Sequence, residues 1–259
     1  DFRYLPLQRL TRFRYHLMQT ITREKNYFLT NLFLKFNTLQ QNEVFSNLFG
    51  AASEAVLNEF FSPDEIAARP LDELIDFLME KGHQHFSNPK ATAEALKNAA
   101  RNAHKLKGNL MEPVNLILAT SLETIRCLEK QVKTIDKAIA KELNHFKHTL
   151  GSVPGLGPVM CAGLIAEIGD IHRFNNDSAL AKYAGLTWRG YQSGEFEADE
   201  APLTKTGNSY LRYYFVQAAN LVRQFEPEYR LFYNRKYRES NTHHHRRALV
   251  LTARKLVRM

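Results

Sequence analysis

Apolar residues recur along this chain at steps of three and four, and that spacing predicts a protein built mainly from helices. Leu10, Phe13, Leu17 and Ile21, followed by Phe28, Leu32 and Phe36, put a long helix over 1–37, with Pro6 near its start, where the missing amide costs little. Its other face carries Arg9, Arg12, Arg14, Arg23 and Lys25. A stronger stripe runs Leu118, Leu122, Ile125, Leu128, Val132, Ile135, Ile139 and Leu143. That pattern predicts a coiled-coil arm over 115–150, paired with helix 1–37 or with another subunit.

Start and stop signals divide the rest. Between the long helices, 38–114 reads as an insertion of short helices. Ser62-Pro63-Asp64-Glu65 has the form of a capping box, Pro70 opens a second helix, and Asn88-Pro89 opens an alanine-rich third reaching about His104. Past 151 the pattern becomes a compact helical domain running to 259. Pro154-Gly155-Leu156-Gly157-Pro158 ends the arm and starts an apolar helix to about Glu167. Asp177 or Ser178 caps a short helix that stops at Gly185, and 186–202 is irregular or a hairpin. Asn208 caps a helix with Leu211, Phe215, Ala218, Val222 and Phe225 on one face, Pro227 starts another, and His243 to Arg258 make a last basic one. The expected fold is thus mainly α, with long antiparallel or coiled-coil helices and a C-terminal domain containing a helix-hairpin-helix-like turn.

Charge adds a partner to this picture. The chain of 259 residues carries a formal +8. Residues 232–259 alone hold eight Lys or Arg against the single acid Glu239, a local balance of +7. A polyanion is the natural ligand for such a tail, although a solvated helix face has the same composition. No stretch approaches the roughly 20 apolar residues of a membrane span, and the N-terminus has no signal-peptide pattern. Cytoplasmic, nucleoid-associated placement in a bacterium or archaeon is expected, with no membrane partner. Cys127 and Cys161 read as small core fillers. His83, His85, His104 and the internal His243-His244-His245 lack metal-ligand spacing, so no metal site is expected in this chain.

Two stretches have a chemical reading. A Gly-x-Gly turn at a helix N-terminus holds phosphate through backbone amides without reading sequence. Gly155 and Gly157 are therefore candidate nucleic-acid contacts, joined by Lys182, Arg189, Lys205, Asn208 and Arg212 and, in the tail, by Arg246, Arg247, Arg254 and Lys255. The same turn merely reverses direction in many helical hairpins. Ser193, between Gln192 and Gly194, can present a hydroxyl, yet no Gly-x-Ser-x-Gly elbow or Ser/His/Asp order surrounds it. From the residues alone a non-catalytic helix-hairpin-helix nucleic-acid-binding module, or a helical scaffold whose tail meets an acidic protein, stands beside any catalytic reading.

The ordered set Val153-Pro-Gly-Leu-Gly-Pro, Ala166-Glu-Ile-Gly-Asp, Arg173-Phe, Tyr183-Ala-Gly-Leu, Gln192-Ser-Gly, Lys205-Thr-Gly-Asn, Leu211-Arg and Ala253-Arg-Lys-Leu resembles the C-terminal domain of IS110-class insertion-sequence transposases. Leu7-Gln-Arg-Leu-Thr-Arg-Phe-Arg-Tyr-His-Leu resembles the helix that leaves that family's N-terminal domain. The resemblance implies a preceding RuvC-like domain whose Asp-Glu-Asp-Asp set holds divalent metal, expected to be Mg²⁺. Residues 1–37 supply no such set, so the chain is expected to lack that half. The resemblance also implies a serine that attacks DNA and forms a phosphoserine link, which falls by motif on Ser193. It further implies a structured guide RNA, DNA as substrate, and action as a homo-oligomer, dimer or tetramer. Alone, the chain is expected to bind nucleic acid without cutting or joining it.

Overall fold

The computed structural model describes residues 2–83, 86–188 and 203–258, together with the backbone of 192–193 and 196–197. Among these the fold is mainly α. Eleven α-helices occur: α1 Leu5–Gln41, α2 Ala51–Glu59, α3 Pro63–Ala68, α4 Leu71–Lys81, α5 Pro89–Arg101, α6 Gly108–Leu143, α7 Pro158–Ile168, α8 Asp177–Tyr183, α9 Ser209–Phe225, α10 Pro227–Glu239 and α11 His244–Leu256. They form two compact units, one of 1–16 with 132–259 and one of 17–131.

The local start signals are used largely as the sequence places them. Asn88 Oδ1 accepts the Ala91 amide at 3.0 Å, and Pro89 follows it inside the first turn of α5. Ser62 occupies the N-cap of α3 without a side-chain bond, and Glu65 reaches back to the Phe61 amide instead, at 2.8 Å. Asn176, rather than Asp177 or Ser178, caps α8 by accepting from the Ala179 amide at 2.9 Å. Helix α6 begins seven residues before 115 because Pro113 lies just past its first turn, where a missing amide removes a single ladder bond. It ends at Leu143, short of the glycine turn, which follows a 3₁₀ turn at Leu150–Ser152.

In the unit of 17–131, the later part of α1 lies against α6 and the short helices. The Asn37 side chain accepts the His104 amide at 3.0 Å, just before α6 starts, while Lys25 meets Glu129 farther along it at 2.8 Å, so the two helices run antiparallel there. Phe28, Leu32, Phe36 and Leu39 share a core with Leu74, Leu96, Leu118 and Leu122. Within that core Thr38 donates to the Ala99 carbonyl at 2.7 Å. Helix α1 is kinked at Phe36, whose backbone leaves helical geometry (φ −150°, ψ 68°).

In the other unit α9 is the central rod. Its Leu211, Tyr214, Ala218, Ala219 and Val222 are buried, and α7, α10 and α11 pack around it. Leu7 of α1 and Ile139 and Leu143 of α6 complete that core. The α6 stripe therefore serves two cores, Leu118 to Ile125 in one and Ile139 to Leu143 in the other. Two sequence expectations fail here. Phe13 is exposed, and Cys127 is exposed while Cys161 is buried.

Gly163 on α7 faces the ring of Tyr214, close enough that a Cβ would overlap the ring carbons. Tyr214 is fully buried and its hydroxyl donates to the Thr11 carbonyl at 2.9 Å; burial pushes that phenol well above its ordinary range. Gly163→Ala gains helix propensity but overpacks a ring that has nowhere to go, so a net loss of about 2 kcal/mol is expected. Urea unfolding followed by fluorescence of Trp188, the single tryptophan, reads the change.

Candidate nucleic-acid interface

Two loops lock together at the N-terminal end of α9. Helix α8 stops at Gly185, which is left-handed at φ +69°, and Gly207, at φ +98°, sits on the facing segment. A Cβ on Gly185 would overlap the Thr206 carbonyl, and one on Gly207 would overlap the Tyr183 carbonyl, so both glycines are required by close approach as well as by φ. The segments are laced by Asn208 N to Tyr183 O at 2.7 Å, Thr204 N to Thr187 O at 2.8 Å, and the Thr187 and Thr204 hydroxyls at 3.1 Å. An antiparallel bridge between Trp188 and Leu203 continues the pairing. Beyond it, strands β1 Gln192–Ser193 and β2 Phe196–Glu197 pair antiparallel, with Ser193 opposite Phe196. Among the described residues of 186–202, the β1–β2 pairing agrees with the hairpin alternative rather than the irregular one.

The locked segments display positive charge. Lys182 on α8 and Lys205 on the facing loop are exposed. Lys205 is held left-handed at φ +53°, a conformation costing a non-glycine residue about 1 kcal/mol. Arg212 fixes it there: its Nη1 donates to the Lys205 carbonyl at 3.1 Å and to the Ala184 carbonyl at 3.2 Å. Arg212 therefore clamps the two segments together, with Lys182 at the end of α8 and Lys205 on the facing loop both turned to solvent.

Asn208 is turned inward. Its Oδ1 caps α9 by accepting the Tyr210 and Leu211 amides, both at 3.0 Å, and its Nδ2 donates to Glu167 at 2.7 Å and the Tyr183 hydroxyl at 3.3 Å. Every polar atom of its amide is thus engaged inside the protein, and Asn208 holds the loop in place. Its partner Glu167, named in the sequence only as the end of an apolar helix, is the centre of this network. The Glu167 side chain is fully buried and gathers a bidentate contact from Arg12 (2.7 and 2.9 Å), the Asn208 amide, and Gln8 at 3.4 Å. The hydrogen bonds that Arg12 donates to Glu167 raise the guanidinium's affinity for its proton, and that guanidinium also lies 4.5 Å above the Tyr210 ring. One signal was available: a lone carboxylate in the apolar run of α7 has to be paired if that helix is buried.

The glycine turn stands elsewhere. Gly155 packs against the backbone of Leu221 and the Phe225 ring, near the C-terminal end of α9, whereas the Lys205 loop caps its N-terminal end. At 1.5 Å per residue these ends are roughly 20 Å apart. The glycine turn and the root of the Ser193 hairpin therefore do not share one phosphate. Gly155 is a packing residue. Gly157 heads α7, its carbonyl accepting from Met160 and Cys161, and a Cβ there would meet no atom within 4 Å.

Much of the tail's charge is answered internally. Arg254 donates to Asp177 at 3.0 Å and to Ser178 at 3.2 Å, and Arg258 reaches the same Asp177 carboxylate at 3.3 Å; together they hold that carboxyl below its ordinary range. Lys255 pairs with Glu228 at 2.6 Å and lies over the Tyr229 and Phe232 rings. Arg246 is exposed and Arg247 half-buried, both in the first turn of α11. Arg189, and the side chain of Ser193, lie outside the described residues. Among the described residues no three His, Cys, Asp or Glu side chains are gathered so as to hold a metal ion, and no helix is long and apolar enough to cross a membrane.

Residues 147–234 match the Transposase IS116/IS110/IS902 family. A transposase for insertion sequence element IS1111A from Coxiella burnetii is 31% identical over 100 residues, 39% of this chain and 26% of that protein. The pilin gene-inverting protein of Moraxella bovis is 37% identical over 71 residues, 27% of this chain and 22% of its own. An uncharacterized 43.6 kDa protein of insertion element IS110 from Streptomyces coelicolor is 30% identical over 145 residues, covering 54% and 34%. The chain thus spans between about a fifth and a third of the curated relatives it matches.

Proposed function

We propose that this chain, whose residues 147–234 belong to the Transposase IS116/IS110/IS902 family, is the nucleic-acid-gripping part of a DNA transposase, with the locked loops at the head of α9 as the grip. The observation that carries this reading is the exposure of Lys182 in the last turn of α8 and of Lys205 on the loop facing it, two segments that Arg212 clamps together. A rigid pair of cations there holds a phosphodiester backbone in register while the hairpin is carried against it.

In this reading Ser193, by its Gln-Ser-Gly motif, is the nucleophile. Its hydroxyl oxygen attacks a DNA phosphorus, one ester oxygen leaves as a hydroxyl, and the strand is held as a phosphoserine. Activation of that hydroxyl is assigned to divalent metal on a RuvC-like domain. The described residues do not fit such an ion, and by themselves they bind and orient. Target choice is assigned to a structured guide RNA, and assembly to a homo-oligomer. The open head of α7 at Gly157 supports a second, sequence-blind phosphate contact of the helix-hairpin-helix kind.

The test is strand exchange by the complete transposase with its RNA and donor DNA. Ser193→Ala is expected to abolish product and the protein–DNA adduct while leaving DNA binding within about twofold. Lys182→Glu with Lys205→Glu is expected to weaken binding at least tenfold and to flatten its log-linear salt dependence. Exchange surviving Ser193→Ala would overturn the nucleophile, and binding indifferent to the two lysines would overturn the grip.

A further inference from the structure

Helix α6 has an outer face to which the grip gives no role. Over 132–143 its inner side is fixed by Val132, Ile139 and Leu143, all buried. Lys133, Lys137 and Lys141 recur at four-residue steps on the opposite side, all exposed. That spacing stacks them in one strip, about 6 Å apart along the axis. None of the three has a hydrogen-bond or ion-pair partner among the described residues. Other surface lysines are answered: Lys25 by Glu129, Lys81 by Glu59, Lys105 by Asp64 and Lys255 by Glu228.

The acids of this stretch do not offset the strip. Asp136 pairs with Arg14, and Glu142 lies 3.6 Å from the His145 ring. Residues 132–147 hold four lysines against those two acids, and Arg14 adds a fifth cation. The negative end of the α6 dipole accounts for Lys141 in the last turn. It gives no reason for Lys137 and Lys133, one and two turns farther back.

The chemistry of the strip selects its partner. No large apolar side chain is exposed between 132 and 144. Protein interfaces are built around apolar and aromatic anchors and are poor in lysine, and a second copy laid on this strip would set like charges together. An unpaired strand needs rings on which to stack its bases, and the strip has none. A duplex keeps its bases stacked inside and presents phosphates outward, which is what a row of bare ammonium groups complements.

We infer that the Lys133–Lys137–Lys141 strip holds the backbone of duplex DNA. The inference rests on the transposase reading above, in which DNA is the substrate, and adds to the grip a second contact on another element of the same unit. Made to phosphates alone, this contact reads no sequence.

The experiment titrates the full chain into a short fluorescent DNA duplex between about 50 and 200 mM salt. Replacing Lys133, Lys137 and Lys141 together by glutamine, a good helix former, keeps α6 intact. That variant is expected to bind about tenfold more weakly, with the slope of log affinity against log salt reduced by about 2 to 3. Replacing the exposed Lys90, Arg101 and Lys107 of the unit of 17–131 by glutamine removes the same charge and is expected to cost no more than about twofold. Equal losses in the two variants, an unchanged slope, a greater loss on duplex RNA of the same sequence, or a change of oligomeric state in place of weaker binding overturns the inference. Lys182→Glu with Lys205→Glu, titrated alongside, separates the two contacts. A loss there alone overturns the strip, and a loss in the strip variant alone overturns the grip. No binding by the unaltered chain overturns both.

Discussion

Glu167→Ala is expected to destabilise its unit by about 2–3 kcal/mol, less than removing one partner of a fully buried ion pair because the Arg12 side chain is 36% exposed. The carboxylate is the only acceptor shared by Arg12, Asn208 and Gln8 in this network. Truncating it leaves the Asn208 amide and the partly exposed Arg12 guanidinium without their shared acceptor. The loss has a functional side as well. Asn208 caps α9 with its oxygen and is oriented by the bond from its nitrogen to Glu167, and its backbone amide ties the loop to Tyr183. Freeing Asn208 loosens the loop that carries Lys205, so nucleic-acid binding should weaken even below the unfolding temperature. Glu167→Gln keeps the shape and one acceptor, and should recover part of the stability because the Asn208 bond persists while the bidentate contact with Arg12 does not. Thermal unfolding of the three proteins, read by Trp188 fluorescence, checks the order. Equal stability of Glu167→Ala and the unaltered chain would show that the buried pair contributes nothing net.

What could be read from the residues in advance divides by distance along the chain. Pro89, Asn208 and Pro227 mark helix starts because capping is decided within four residues, and Gly185 marks a stop for the same reason. The α6 stripe from Leu118 to Leu143 announces burial, but its period cannot say that its two ends serve different cores. In the sequence Arg12 and Arg14 stand simply on the face opposite the apolar stripe of the first helix. They are instead half-buried, with Arg12 on Glu167, 155 residues away, and Arg14 on Asp136, 122 away. Gly163 looks like any small residue in an apolar helix until Tyr214 arrives against it. The candidate site divides in the same way. Lys182, Lys205 and Arg212 come together because two left-handed glycines fold neighbouring segments onto each other. Charge and motif place Gly155 and Arg254 with them, yet the positions of these two are set by α9 and by Asp177.

Lys35 gives a pH dependence of comparable size in the unit of 17–131. Its side chain is buried and donates to the Leu57 carbonyl at 2.8 Å and the Phe60 carbonyl at 2.9 Å, at the C-terminal end of α2. Burial brings its ammonium down from the ordinary 10.5 to about 8, the nearby Glu65 offsetting only part of that cost. Below pH 8 the amine is charged whether the unit is folded or not, and the burial penalty is felt in full. Between about 8 and 10.5 the unfolded chain binds more protons, so stability rises with pH, and above 10.5 the penalty is gone. The interval corresponds to about 3 kcal/mol. Lys35→Met abolishes this contribution but strands two carbonyls at a helix end, so it should be the less stable protein at pH 10.5 by more than at pH 7. The stability of the unaltered chain minus that of the variant, from urea denaturation followed by circular dichroism, is expected to increase by about 3 kcal/mol across the interval. Taking the difference cancels the other lysines and the tyrosines, which both proteins share. A difference that stays level with pH would mean that the Lys35 amine keeps water when the unit folds, and that the carbonyls of Leu57 and Phe60 alone fix its place.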